Sequence, residues 1–179
     1  MICLITLLTS LLNLAPRPQA TTQVNTSVPG AGFSLSLVDE SSVRPVANPI
    51  DTSDLISFAQ SLKGIPYKYA SADPDKGFDC SGFVLYVFKH FNINVPRSSS
   101  AFSKIGKVVP LDEAKAGDIV LFTRTNTSVR SVGHVGIVTS GGPSVSFIHA
   151  TSGKAYSVVE TTMTPHYRKR FVKVVRVLE

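Results

Sequence analysis

The chain has 179 residues, 43% of them apolar and 17% charged, with a formal net charge of +6. That length suits one ordinary domain plus a tail and is too short for two comfortable ones, and the apolar share excludes general disorder. The positive surplus lies in the second part, where 16 Lys and Arg stand against 10 Asp and Glu from Asp51 onward. These basic residues are scattered and make no run with interleaved aromatics, which argues against a nucleic-acid partner; an anionic polymer outside the cell fits the positive surplus equally well.

Residues 2–15, ICLITLLTSLLNLA, form an apolar run broken by Pro16 and Pro18. The run is short of the ~20 residues that a membrane-crossing helix needs, so no integral span is expected. It suits the hydrophobic part of an export signal over residues 1–20, with Gln19-Ala20 offering a small residue for cleavage. Cys3 would leave with that signal, and Cys80 would then be the lone thiol of an exported chain. A lone thiol in an oxidising compartment is a liability unless it has a task.

Residues 21–50 are rich in Ser, Thr, Asn, Pro and Gly and read as a flexible linker, with one short strand over residues 33–37. From residue 51 to 179 the texture is that of a folded domain. Asp51-Thr52-Ser53 offers helix caps, and Leu55, Ile56, Phe58, Ala59 and Leu62 recur at helical spacing until Gly64. A loop follows to Asp79. A second helix is predicted from near Cys80, with Phe83, Val84, Val87, Phe88 and Phe91 on its apolar side, and a short third one over residues 98–104. After Gly117-Asp118 the pattern turns to β-branched and aromatic segments at 119–123, 133–139, 145–150, 155–161 and 171–178. Helices followed by an antiparallel run of about five strands make an α+β fold.

Cys80 stands at the loop-to-helix junction of Gly77-Phe78-Asp79-Cys80-Ser81-Gly82-Phe83. The unsatisfied amides and positive end of a helix favour a thiolate there, and the same amides can hold an oxyanion. A thiol nucleophile needs a base that later protonates the leaving amine, and four histidines are candidates. His90 and His166 read as surface or capping residues. His134 opens a strand between Gly133 and Gly136, whose small size lets another element come close to the imidazole. His149 should lie near the end of the next strand, where it could face His134 across the hairpin and fix its ring. Zinc on Cys80, His134 and His149 is the rival reading, disfavoured because none of the three lies at the close paired spacing of zinc motifs. No metal or other cofactor is expected.

The segments Gly64-Ile65-Pro66-Tyr67, Gly77 to Val84, Pro96-Arg97-Ser98-Ser99, Ala116 to Phe122, Gly133 to Ile137 and Ile148-His149-Ala150 resemble, in order and spacing, those of the NlpC/p-sixty family of papain-like bacterial cell-wall cysteine peptidases. The resemblance covers residues 52 to 178. It implies a papain-like fold with Cys80 as nucleophile, His134 as base and His149 as polar third member. It also implies that Tyr67 helps hold the oxyanion, and that Asp79 and Ser81 shape the pocket and bind the substrate's free amino end. The implied reaction is hydrolysis of the γ-D-glutamyl–diamino acid bond in peptidoglycan stem peptides, by a secreted or periplasmic monomer. A wall amidase, an acyltransferase or an inert wall-binding module are the alternatives. Ala70-Ser71 stand where the family often has two glycines, and Phe102 where it often has glutamine.

Overall fold

The computed structural model describes residues 50–125 and 131–178. The expected export signal, nearly all of the linker and its short strand lie outside the described residues. Among the described residues no helix is long and apolar enough to cross a membrane.

Helix α1 (Thr52–Ser61) is capped by Asp51, whose side chain accepts from the Ser53 amide at 2.8 Å. Leu55 and Ala59, one turn apart, face inward and are fully buried. Gly64 ends this region at φ +88°, a conformation costly for any residue with a Cβ. The following loop carries a two-residue hairpin, β1 (Ala72–Asp73) with β2 (Gly77–Phe78). Helix α2 (Cys80–His90) then buries Phe83, Val84, Val87 and Phe88 along one stripe.

The remaining strands form one antiparallel sheet. They are β3 (Lys107–Val109), β4 (Ile119–Thr123), β5 (Val132–Ser140), β6 (Ser146–Ala150), β7 (Val158–Thr162) and β8 (Phe171–Arg176), in the order β3-β8-β4-β5-β6-β7. This is six strands where about five were expected. The addition is β3, three residues between Gly106 and Pro110 that are too short to show a period and become a strand by pairing with β8. The residue stretch 98–104 gives only a 3-10 turn, Ala101–Lys104, which seats Phe102 in the core. Helix α3 (Pro165–Arg170) lies between β7 and β8 and was not expected.

Every residue of β4 is buried, because both faces of the sheet are covered. Ile119 and Leu121 meet α1 and α2 in one core with Val135, Ile137, Ile148 and Phe88. Val120 and Phe122, pointing the other way, join Val138, Phe147, Met163 and Tyr167 in a second core. The α+β architecture read from the sequence is the observed one: helices α1 and α2 lead, and α2 packs on β5 and β6.

Candidate active site

Cys80 begins α2, and Asp79 before it is the helix cap. The Asp79 Oδ1 accepts from the Gly82 amide at 2.6 Å and from the Ser81 hydroxyl at 3.2 Å. Arg97 closes on the same carboxylate with two bonds, Nη1 to Oδ1 at 2.9 Å and Nη2 to Oδ2 at 2.6 Å. Arg97 Nη1 also donates to Ser81 Oγ at 3.1 Å. Asp79 and Ser81 are thus buried and held in place, and the first turn of α2 is fixed around the thiol. Gly82 lets the loop lie against that turn, since a Cβ there would run into the Ser71 carbonyl oxygen. The loop carries Tyr67, whose amide donates to Tyr156 O at 2.9 Å and whose ring meets Tyr156 edge-on. Ala70 in the same loop sits at φ +58°, the left-handed region where glycine costs least.

The histidines come from the sheet. His134 pairs with Phe122 and Val132 pairs with Thr123, so β5 carries one extra residue, Gly133, as a bulge. The bulge sits beside the imidazole and re-aims it. The Arg124 side chain crosses over Gly133, where a Cβ would collide with it. Gly136 lets β6 approach, its missing Cβ position lying 3.0 Å from Ile148 O and 3.2 Å from His149 Cβ. The expected facing of the two rings follows: His134 Nε2 and His149 Nδ1 are 2.8 Å apart. His149 is fully buried, and its Nε2 lies 3.2 Å from Thr161 Oγ1 and 3.5 Å from the Tyr167 hydroxyl.

Tyr67, Asp79, Cys80, Ser81 and His134 line one cleft of about 600 Å³, with Arg97, Arg124 and Arg170 also on its wall. His149 stands behind His134 and outside the lining. Sequence reasoning missed Arg170, Tyr167 and Thr161. Thr164-Pro165, a helix cap followed by proline at the first helical position, is the signal that marks α3. The other two histidines are exposed: His90 stacks on Phe58 at 3.8 Å between ring centroids, and His166 Nε2 lies 3.4 Å from Arg170 Nη1. Among the described residues no three His, Cys, Asp or Glu side chains are grouped as metal ligands would be.

Burial holds His134 well below the usual imidazole range, and the neighbouring His149 and Arg170 add to this. Burial, then Arg170, lowers His149 to about 4. Burial pushes the Cys80 thiol up, and the Asp79 carboxylate pushes it further; the amides of Val135, Ser81 and Cys80 pull the other way. The expected low-pKa thiolate is therefore corrected: desolvation outweighs the helix end, and thiol and imidazole are both neutral at rest. Burial also raises Tyr67, which stays a phenol able to donate.

With both rings neutral, the direction of the hydrogen-bond chain follows from the role given to His134. For His134 to act on the thiol through Nδ1, its Nε2–H donates to His149 Nδ1, and His149 Nε2–H donates to Thr161 Oγ1. All three groups are then satisfied in one direction. A thiol at a helix start, a neutral imidazole in the same cleft and a second imidazole orienting the first can together perform acyl transfer through a thioester.

The NlpC/P60 family model matches residues 64–176. The chain belongs to the NlpC/P60 family. It is 33% identical over 134 residues to the γ-D-glutamyl-L-lysine dipeptidyl-peptidase of Bacillus subtilis (strain 168), covering 74% of this chain and 44% of the relative. It is 32% identical over 117 residues to the murein DD-endopeptidase MepS/murein LD-carboxypeptidase of Escherichia coli (strain K12), covering 65% of this chain and 57% of that one. A crystal structure of an NlpC/P60 family protein from Bacillus cereus ATCC 10987 superposes with a TM-score of 0.66 at 29% identity, covering 74% of this chain and 42% of the other. The chain thus spans about half the length of these relatives. The NlpC/P60 match runs from just before Tyr67 to the end of β8 and so includes every cleft residue named above.

Proposed function

We propose that this NlpC/P60 domain is a cysteine endopeptidase of the bacterial cell envelope that hydrolyses the γ-D-glutamyl–diamino acid bond of peptidoglycan stem peptides. The observation that carries the reading is the ordered set of Cys80, His134 and His149: a thiol and an imidazole on one cleft, with the second imidazole hydrogen-bonded behind the first at 2.8 Å. The choice of bond rests on the relative named for γ-D-glutamyl-L-lysine.

In this mechanism His134 takes the Cys80 proton as the sulfur attacks the γ-glutamyl carbonyl carbon. Neutral resting partners make this a general-base step. The Cys80 amide and the Tyr67 hydroxyl hold the oxyanion. His134, now an imidazolium, gives its proton to the departing amine as the C–N bond breaks. Water activated by His134 then hydrolyses the thioester and restores the thiol. Throughout, His149 accepts from His134 and steadies the imidazolium. Asp79 Oδ2 takes one bond, from Arg97, and so keeps a lone pair for the stem's free amino group, with Ser81 beside it.

Export through the apolar segment at 2–15 completes the reading, and fractionation of cells producing the full chain tests it. The activity is tested by digesting defined stem peptides, with and without a free amino-terminal L-Ala, and locating the cut by mass spectrometry. Cys80→Ala is expected to abolish turnover. Retained activity in that variant would refute the assignment, and a cut at another bond would move the domain to a different wall peptidase or amidase class.

A further inference from the structure

Two neutral imidazoles 2.8 Å apart can share their hydrogen bond in either direction. In one direction His134 Nε2–H donates to His149 Nδ1, and the bare Nδ1 of His134 is free to take a proton. In the other, His149 Nδ1–H donates to His134 Nε2, and the proton of His134 sits on Nδ1, where a thiol proton would have to go. The pair itself is nearly symmetric. The direction is therefore decided at its far end, by whatever meets His149 Nε2.

The sheet builds that end. His134, His149 and Thr161 stand on successive strands, β5, β6 and β7. Val159 pairs with His149 and has no polar side-chain atom. Thr161 pairs with Phe147 and so lies diagonal to His149 on the same face. Its Oγ1 is 3.2 Å from His149 Nε2, while the Tyr167 hydroxyl, delivered by α3, is 3.5 Å away. His149 has no exposed surface, so bulk water does not stand in for either hydroxyl. The two hydroxyls differ in kind. An aliphatic hydroxyl accepts more readily than a phenol, whose oxygen lends electron density to its ring. Thr161 thus favours a proton on Nε2, and Tyr167 by itself would favour a bare nitrogen there.

The demand is strictest during turnover. Once His134 carries two protons, His149 Nδ1 has to accept, and the one proton of His149 has to stay on Nε2, buried and in need of an acceptor. We propose that Thr161 is a positioning residue of the reaction: by accepting from His149 Nε2–H it sets both rings in the tautomers that leave His134 Nδ1 open to the Cys80 proton. The effect on rate rests on the peptidase reading above; the tautomers exist with or without turnover. The working unit then extends one strand beyond Cys80, His134 and His149.

The test compares the wild type with Thr161→Val, which keeps the β-branched shape and removes the acceptor. Nitrogen NMR of the full chain with isotope-labelled histidines tells a protonated ring nitrogen from a bare one. The wild type is expected to carry its protons on Nε2 of both His134 and His149, and Thr161→Val to shift both toward Nδ1. On the stem peptide L-Ala-γ-D-Glu-diaminopimelate, kcat should fall about tenfold to a hundredfold at unchanged KM, the range for leaving one buried donor unmet. Thr161→Ser should restore the tautomers and most of the rate. An unchanged kcat in Thr161→Val would overturn the proposal, as would a slower variant whose Nε2 protons stay in place. So would loss of the His149 Nε2 proton in Tyr167→Phe but not in Thr161→Val, which would give the place to Tyr167. Tautomers that shift as expected in a chain whose wild type cuts no stem peptide would overturn the peptidase reading and leave the role of Thr161 standing.

Discussion

Replacing His149 with Asn should flatten the acid limb of this protein's stability. His149 has no exposed surface and titrates at about 4 in the fold, whereas a histidine in the unfolded chain titrates near 6.5. Between those values the unfolded chain binds a proton that the fold refuses. Its contribution is therefore complete above about pH 6.5 and is lost as pH falls toward 4. Each tenfold difference in proton affinity is worth about 1.4 kcal/mol, so His149 alone should cost the wild type roughly 2 to 3 kcal/mol between pH 7 and pH 4.5. His134, depressed by burial and by His149 itself, acts with the same sign and loses one cause of its depression in the variant. Urea unfolding of both proteins at pH 7 and pH 4.5 measures the difference, and carboxylates common to both cancel. His149→Asn should be less stable at pH 7, having lost the 2.8 Å bond to His134, yet lose roughly 2 to 3 kcal/mol less on acidification. Equal losses in the two proteins would refute the picture of a buried neutral pair.

Three further outcomes follow from the same geometry. Alkylation of Cys80 by iodoacetamide should still accelerate above pH 9, because burial and Asp79 push the thiol up; a plateau reached below pH 8 would show that the helix end prevails. Tyr67→Phe should lower kcat by about a hundredfold, close to the ~3 kcal/mol of one oxyanion donor, with an unchanged melting temperature, whereas an unchanged rate would remove Tyr67 from the reaction. Arg97→Met strips the fork from an Asp79 side chain that is only 11% exposed; with Arg97 itself 42% exposed, the loss should be about 2 kcal/mol in urea unfolding, and a neutral effect would mean that the cap alone holds the start of α2.

Much of the scaffold was legible in residue order because its signals are local. Asp51 and Asp79 are caps next to apolar stripes of helical period, and β4, β5 and β6 are rich in Val, Ile and Phe, with glycines inside β5 and in the turns nearby. Gly133 and Gly136 marked His134 as a place of close approach, and the structure shows what approaches: Arg124 over one, β6 over the other. β3 escaped notice because three residues carry no period, and α3 because PHYRKR has no apolar stripe. The consequence was functional, since α3 delivers Tyr167 and Arg170.

The sequence by itself determined the chemistry on offer: Cys80 at a helix start, a histidine opening a strand among glycines, and a second one ending the next strand. Tertiary structure decided how those groups behave. It set His149 behind His134, closed Arg97 on Asp79, and brought Arg170 to the cleft from the end of a short helix whose one sequence signal is Thr164-Pro165. It also reversed the expected lowering of the Cys80 thiol. The physical reason is that a proton's affinity and a charge's cost depend on desolvation, and desolvation is a property of everything packed around a group.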